Sequence, residues 1–216
     1  MTRLIWLEID DQETEKKCLK TEKQLSERVF VMIDAHGILQ EDGLAPVSVE
    51  EYFVVGDGSV PNSRFPITVY RNLGDDRIEA RNLKDCLGRN GWIPDWFSAD
   101  GMYPRHHFHS DAHEFIAVMD GEFTCRLGGE HGVDAHLGKG DALVIPAGVA
   151  HCGDRKSERL AILGAFPTGF GIHDFRLGYP SEYAQMAMRA QQVPIPPNDP
   201  LFGPKGPLVQ RWTQHF

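Results

Sequence analysis

The chain has 216 residues and a formal net charge of −9. This length suits one well-buried domain, with or without an appendage. The acidic balance argues against nucleic acid or an anionic membrane surface as a partner, and no apolar run approaches the roughly 18 residues that span a bilayer.

Cysteine usage and the first residues both bear on location. No C-x-x-C spacing occurs among the four cysteines, which are Cys18, Cys86, Cys125 and Cys152. Scattered cysteines of this kind are typical of a reducing cytoplasm. The N-terminal stretch turns acidic within its first eleven residues, too early for a signal peptide. We therefore expect a cytoplasmic protein.

Residues 1–45 form the least regular part of the pattern. Residues 11–28 are highly charged and carry only a weak helical stripe, whereas Arg28 to Asp34 could form a first strand. We expect a partly helical N-terminal extension over 1–45, followed by a single domain over 46–216.

Strand and helix signals begin after this extension. Val49 to Val55 and Ile67 to Arg71 are rich in β-branched and aromatic residues, which favours strands. Asp76 to Arg89 has apolar residues near one face and glycines at its end, which predicts a helix. A dense group of large apolar residues follows, comprising Trp92, Ile93, Trp96 and Phe97. We expect this group to plug one end of the core, with pocket lining as the alternative.

Many short strands separated by glycine-rich turns come next. Their predicted ranges are 103–109, 113–119, 122–127, 132–137, 141–145, 149–152 and 159–166. This pattern is typical of an all-β sandwich or barrel. A helix is predicted from Pro180 to Gln192, before a proline-rich tail. The tail contains Leu201, Phe202, Leu208 and Trp212, so we expect it to pack back on the barrel.

Two stretches, residues 101–121 and 140–151, concentrate the histidines that suggest chemistry. Alternation in a strand would point His107 and His109 the same way. A turn after Ser110 can bring Glu114 back beside them, and His151 closes the second stretch after a Pro-x-Gly turn. Three imidazoles and one carboxylate that converge on one point suit a divalent first-row metal.

The spacing of these residues resembles the two motifs of the cupin superfamily. The first motif is Gly, five residues, His-x-His, three or four residues, Glu, six residues, Gly; it is matched by Gly101, His107, His109, Glu114 and Gly121. The second is Gly, five residues, Pro-x-Gly, two residues, His, three residues, Asn; Gly140, Pro146, Gly148 and His151 fit it, while Arg155 stands in place of the Asn. That Asn is not a ligand in the family, so the departure concerns the loop.

The resemblance implies a fold and a ligand set. The fold is a double-stranded β-helix, or jelly-roll barrel, with a few peripheral helices. The metal ligands it implies are His107, His109, Glu114 and His151. One divalent transition metal is expected, with iron or manganese first and nickel, copper or zinc also compatible. The region from about residue 52 to the C-terminus is similar to a group of uncharacterised single-domain cupins, which names no reaction.

Strand parity within 103–109 makes further predictions. If His107 and His109 face the barrel interior, Arg105 and Tyr103 do so too, and His106 faces outward. An inward Arg105 could hold a substrate carboxylate with its guanidinium fork; the alternative is an arginine in water at the rim. Tyr103 could donate a hydrogen bond to an oxygen species on the metal.

Parity also separates the remaining histidines. With Glu114 inward, His113 is expected to point outward or lie at the rim; it is the main rival of Glu114 as a ligand, and the family offset selects Glu114. His131, His136 and His173 match no motif position. We expect them to be surface or structural residues, although one could act as an acid or base at the mouth.

Three functions fit these observations. The first is a metal-dependent oxygenase or oxidase acting on a small organic acid or related molecule. The second is a non-redox metal-dependent isomerase or lyase, and the third is a module that binds a small molecule without turnover. Fold alone does not choose among them. The resemblance to the cupin superfamily suggests a homodimer. The expected partner of the site is a small-molecule substrate.

Overall fold

The structure, a computed structural model, describes residues 28–30, 47–169 and 173–215, with residues 28–30 and 154–156 described by their backbone alone. Within the predicted N-terminal extension, Arg28–Phe30 forms a strand. The predicted helical part of that extension lies outside the described residues. No helix among the described residues has the length and apolarity needed to cross a membrane.

Ten strands and four α-helices make up the described chain. The strands are β1 Arg28–Phe30, β2 Ser48–Tyr52, β3 Ile67–Arg71, β4 Trp92–Ser98, β5 Glu114–Asp120, β6 Glu122–Leu127, β7 Val133–Gly138, β8 Ala142–Ile145, β9 His151–Lys156 and β10 Ala161–Pro167. The α-helices are α1 Asp75–Ile78, α2 Ala80–Arg89, α3 Tyr183–Gln192 and α4 Pro207–Thr213, with a 3₁₀ turn at Pro180–Glu182.

The strands form two antiparallel sheets. The larger sheet has the order β1-β2-β3-β8-β5-β10-β4, and the smaller one has the order β7-β6-β9. Side chains from both sheets meet in one apolar cluster, which includes Ile116 and Val118 of β5 and Cys125 and Leu127 of β6. The predicted all-β jelly-roll architecture is confirmed, and Ile116 and Val118 face inward as expected.

The large sheet is buried on its outer face as well. Phe115 and Ala117, which alternate with the inward residues of β5, join a second cluster with residues of α2 and α4 such as Leu87 and Trp212. Both Leu87 and Trp212 are fully buried, and burying such a side chain stabilises a fold by roughly 1.5–3 kcal/mol. The helices therefore cover the sheet instead of forming a separate unit.

The C-terminal segment packs back on the barrel, as its apolar residues predict. Asp199 is buried, and its carboxylate accepts hydrogen bonds from the Tyr70 hydroxyl at 2.7 Å and from the backbone N–H of Leu208 at 3.0 Å. Its other oxygen accepts from the N–H groups of Leu201 at 2.9 Å and Phe202 at 3.0 Å. One carboxylate thus fixes the segment to β3.

Two local predictions are wrong. The predicted helix over 76–89 is broken at Glu79, whose side chain caps α2 by accepting from two backbone N–H groups. The aromatic group lies on strand β4, where Trp92 packs in the core as expected while Ile93 and Phe97 are exposed. Residues 103–109 do not form a strand, since only His107 and Phe108 make isolated bridges there.

Candidate metal centre

The four predicted ligands lie where a loop meets two strands. His107 and His109 come from the loop before β5, Glu114 begins β5 and His151 begins β9. His107 and His151 exchange two backbone hydrogen bonds, of 3.1 and 2.8 Å, which align their side chains on one face. The N–H of Gly148 donates to the carbonyl of His109 at 2.8 Å. The loop is therefore held by the backbone on both sides of its His-x-His sequence.

The turn that delivers His151 needs glycine at position 148. Gly148 has a φ of +87°, which disfavours side chains. A Cβ there would also lie 2.7 Å from the carbonyl oxygen of Asn62. The glycine in the Pro-x-Gly turn therefore has a steric reason in this chain.

The structure brings all four side chains together. One ring nitrogen from each of His107, His109 and His151 lies within 4.8 Å of the others, and all three residues are buried. Glu114 Oε2 lies 3.0 Å from His151 Nε2 and 3.4 Å from His109 Nε2. Neighbouring ligands at right angles on an ion with bonds of about 2.1 Å are about 3 Å apart. The spacing of these donors fits a small divalent cation.

Backbone carbonyls set the tautomer of each imidazole. His107 Nδ1 lies 3.1 Å from the carbonyl oxygen of Arg105, and His151 Nδ1 lies 3.0 Å from that of Val149. His109 Nδ1 contacts the carbonyl oxygen of Asp174. A carbonyl only accepts hydrogen bonds, so each Nδ1 carries the proton and each Nε2 offers a lone pair. This is the arrangement that metal-binding histidines use.

Two buried polar atoms at the centre lack a hydrogen-bond partner among the described residues, namely Glu114 Oε2 and His151 Nε2. They lie 3.0 Å apart, but both are acceptors once the proton of His151 sits on Nδ1. Leaving a buried acceptor unpaired costs about 1–3 kcal/mol, and more for a charged group. A cation between them would satisfy both, so the residues present fit a divalent metal.

The electrostatics favour the metal-binding form at His107 and Glu114, whereas the pKa of His109 is raised because the contact with Glu114 outweighs burial. Burial and the neighbouring His151 lower the pKa of His107 to about 3, so its imidazole is neutral. Burial alone would raise the pKa of Glu114, but His109 and His151 hold that pKa well below its ordinary value. Glu114 therefore stays ionised although it is only 3% exposed.

Trp96 contacts the site, in agreement with the alternative of pocket lining for its aromatic group. Its indole N–H donates to Glu114 Oε1 at 2.9 Å, which leaves Oε2 for the centre. A β-bulge skips Asp95, because Trp96 pairs with Gly164 while Pro94 pairs with Ala165. The bulge turns Trp96 towards the interior, and a Cβ at Gly164 would overlap its ring. Alternation alone could not reveal this orientation.

His113, the rival of Glu114, has both ring nitrogens occupied. Its Nε2 lies 3.1 Å from the carbonyl oxygen of Pro194, and its Nδ1 accepts from the N–H of Ala147 at 2.9 Å. His113 faces away from the barrel interior, as expected, although it is buried there and packs edge-on against Trp212. The outer face of β5 is itself covered, which is why this residue is not in water.

The inward orientation predicted for Arg105 and Tyr103 from strand parity is wrong, because residues 103–106 lie in a loop between β4 and β5. The side chain of Arg105 is exposed, and the residue contributes its carbonyl to the site instead. Tyr103 is 43% exposed, and its ring meets the ring of His107 edge-on at 5.4 Å. His106 lies apart from the centre, with Nε2 3.8 Å from Cys152 Sγ. A catalytic role for Tyr103 stays a prediction.

Residues 173–176 lie over the histidines, although no motif includes them. Phe175 stacks on His107, with ring centroids 4.4 Å apart, and His173 meets His109 edge-on at 5.3 Å. Asp174 holds this segment in place by accepting from the backbone and the hydroxyl of Ser110, at 2.6 and 2.7 Å. More than sixty residues separate the two partners, so no local pattern could have predicted the contact.

The chain belongs to the cupin superfamily. Residues 97–163 match the model of the cupin domain. The uncharacterised protein YjlB of Bacillus subtilis (strain 168) is 35% identical over 166 residues, which are 76% of this chain and 97% of that protein. The family predicted from the two motifs is thereby confirmed.

Solved structures similar to this chain include two with low sequence identity. The acireductone dioxygenase from Bacillus anthracis, with a cadmium ion in its active centre, is 17% identical with a TM-score of 0.32, over 44% of this chain and 63% of that one. An uncharacterised conserved protein with a double-stranded β-helix domain from Klebsiella pneumoniae is 15% identical with a TM-score of 0.32, over 66% of this chain and 90% of that one. The match thus spans less than two thirds of the dioxygenase.

Proposed function

We propose that this protein is a metal-dependent enzyme of the oxygenase or oxidase type that acts on a small organic acid or a related small molecule. One observation carries the proposal. The Nδ1 atoms of His107, His109 and His151 all face backbone carbonyls, while the buried Glu114 Oε2 lacks a hydrogen-bond partner among the described residues. The four side chains are therefore oriented to hold a cation.

Each ligand has a defined part in this proposal. Three imidazoles would supply Nε2 donors, and Glu114 would supply the single negative charge. A bound divalent metal would keep one or two open positions for dioxygen or a chelating substrate and would polarise what binds there. Iron or manganese is our first choice for redox chemistry, and the same donors accept nickel, copper or zinc.

The charge of the site, and not Arg105, supports an acid as the substrate. One carboxylate leaves a divalent centre with a net positive charge, which favours an anionic group of a substrate in a buried site. Arg105 is exposed, so its side chain does not point into the barrel to form the carboxylate clamp expected from strand parity. Trp96 holds Glu114 through Oε1, which keeps the carboxylate from turning away as a substrate binds.

Metal analysis after anaerobic purification tests the ligand set. We expect about one metal ion per wild-type chain and loss of most of that metal in a His109→Ala variant. A matched control is His136→Ala, since His136 is exposed and lies on β7. If His109→Ala keeps its full metal content, the ligand assignment is wrong.

Oxygen uptake with a panel of small acids tests the reaction type. The metal-loaded wild-type protein is expected to consume oxygen in the presence of a substrate, whereas His109→Ala is not. A metal-loaded protein that transforms an acid under argon at the same rate would contradict the oxygenase proposal and favour the second candidate.

That second candidate is a non-redox isomerase or lyase, and one observation favours it. Such chemistry needs a proton-carrying group besides the ligands. His173 stacks on Phe166 with centroids 3.6 Å apart, and its Nε2 lies 3.6 Å from a carboxylate oxygen of Asp95. The mouth therefore has an imidazole beyond the ligand set, as this alternative requires.

A further inference from the structure

We propose that the molecule bound at this metal centre carries an aromatic or other flat apolar group, which lies against Tyr103 and Phe175 while a polar end reaches the metal. This inference rests on the proposed function and extends it to the class of substrate. It comes from the direction in which the site opens and from the side chains that line the opening.

Exposure increases steadily from the bottom of the site to its mouth. His151 and Glu114 are 1% and 3% exposed, His107 and His109 are 5% and 7% exposed, and Tyr103 and Phe175 are 43% and 50% exposed. The last two rings both contact His107. A molecule that approaches His107 from the side of these rings would therefore meet Tyr103 and Phe175 first.

The two rings form a corner above the site. Their centroids are 5.1 Å apart and their planes are at 84°. One face of Phe175 covers the imidazole of His107 at an interplanar angle of 16°, and half of its side chain remains exposed. Edge-to-face and offset-stacked pairs are the preferred contacts between aromatic rings. A third ring could make both kinds of contact in this corner.

Large apolar side chains are normally buried, so two that stay exposed beside a candidate centre need a reason. Contiguous exposed apolar surface commonly marks a ligand-binding site, and ligand sites combine apolar walls with a few polar groups. Here the polar groups are the metal ligands below the rings. This arrangement fits a molecule with one chelating end and one flat apolar end.

The neighbouring charges do not favour a different substrate class. Arg176 donates from Nε to Asp174 at 2.7 Å, and His173 lies beside Asp95 at 3.6 Å. Arg176 is thus opposed by a carboxylate, and the His173 ring lies beside another. Binding at this corner would therefore depend on the ring surfaces more than on a charge clamp.

Two hydroxamates that differ only in their apolar end provide the test. Benzohydroxamate and acetohydroxamate share one chelating group, and the visible spectrum of the cobalt-loaded full-length protein reports their binding. An aromatic contact of this kind is worth about tenfold in affinity. We expect benzohydroxamate to bind about tenfold more tightly, after correction for the same ratio measured with free cobalt. A corrected ratio near one overturns the inference.

Variants of the corner localise the preference. Phe175→Leu should reduce the corrected ratio at least threefold, with acetohydroxamate affinity changed by less than about threefold. Tyr103→Ala should reduce the ratio at least threefold relative to Tyr103→Phe, which keeps the ring and lacks only the hydroxyl. Phe97→Leu is the matched control, since Phe97 is 60% exposed on β4 and should leave the ratio unchanged. A ratio that survives both corner variants also overturns the inference.

The failure of the proposed function would look different. If neither hydroxamate changes the cobalt spectrum of the wild-type protein, the centre has no open position, and the proposed function fails together with this inference. If both bind with a corrected ratio near one, the metal centre stands and only the aromatic substrate class is wrong.

Discussion

Both oxygens of the Glu114 carboxylate have a defined environment. Oε1 accepts the indole N–H of Trp96 at 2.9 Å, while Oε2 faces His151 and His109. An ionised carboxylate that rotated freely would present either oxygen to the centre. Trp96 is therefore a positioning residue for Glu114, because it acts on the candidate ligand and not on a substrate.

Replacing Trp96 should weaken metal binding more than it weakens the fold. Trp96→Phe keeps an aromatic ring but removes the N–H that fixes Glu114, and partners of this kind are worth roughly 10–100-fold in metal affinity. We expect a loss in that range, measured by competition with a chromophoric chelator. Gly164→Ala should have a similar effect, because its Cβ would overlap the Trp96 ring.

Phe97→Leu serves as the control for Trp96→Phe, since the two residues are adjacent on β4 and Phe97 is exposed. The thermal unfolding of the metal-free variants shows whether a change in affinity merely reflects lost structure. Unchanged metal affinity in a folded Trp96→Phe protein would contradict the positioning role.

His113 makes a separate prediction about pH. Burial, only partly opposed by the Pro194 carbonyl, lowers the pKa of His113 to about 4, whereas the unfolded chain has a pKa near 6.5. The unfolded state therefore takes up a proton first, and the free energy of unfolding falls as the pH drops from about 6.5 to about 4. The loss from this group should reach about 3 kcal/mol. Above pH 6.5 it should contribute no pH dependence.

Urea unfolding of the metal-free protein at pH 7 and pH 5 measures this effect, with His113→Gln as the comparison. The variant should be less stable than the wild type at pH 7 but should lose less stability on acidification. Both proteins are measured without metal, so that metal release at low pH does not add to the pH dependence of the free energy of unfolding. Equal slopes in the two proteins would show that His113 does not cause the acid sensitivity.

Among the secondary-structure elements, a bulge and a turn determine which side chains point into the site. The bulge in β4 turns Trp96 inward, and the turn at Gly148 delivers His151 to β9. The C-terminal segment contributes differently, by closing the outer face of the large sheet. Trp212 of α4 donates from Nε1 to the carbonyl oxygen of Pro66 at 3.0 Å, which ties the last helix to β3.

Asp199 makes this segment vulnerable to one substitution. Asp199→Asn replaces an acceptor oxygen by an amide that can only donate, so one or two N–H or O–H groups lose their acceptor. Each such loss costs about 1–3 kcal/mol in a buried site. We expect the free energy of unfolding to fall by about 2–3 kcal/mol and the C-terminal segment to be cut earlier in limited proteolysis.

Asp134→Asn is the matched control, because Asp134 pairs with Arg126 on the surface, where an ion pair contributes at most about 1 kcal/mol. Metal content should stay unchanged in both variants. An Asp199→Asn protein as stable as Asp134→Asn would mean that the four hydrogen bonds to Asp199 do not hold the tail.

Across the whole molecule, the sequence predicts the regular strands and the motif positions but not the conformation of the loops. Alternation from Glu114, which the motif spacing selects, placed Ile116 and Val118 correctly because residues 114–118 form a continuous strand. It failed for Arg105 because residues 103–106 are a loop, and a loop has no fixed parity. The site at His107, His109 and His151 was predicted from motif spacing. That prediction depends on fixed sequence offsets and does not require the strand bounds to be known.

The rest depends on contacts that no local pattern contains. Trp96 reaches Glu114 only through a bulge, and Phe175 reaches His107 across more than sixty residues. The helical N-terminal extension and the homodimer stay predictions.

A cobalt anomalous difference map from crystals of the metal-loaded protein would test the central claim most directly. We expect one peak bonded at about 2.0–2.2 Å to Nε2 of His107, His109 and His151 and to a carboxylate oxygen of Glu114. A map with no peak among these four side chains, or with the cobalt bound through the Nδ1 atoms or at another place, would contradict the account.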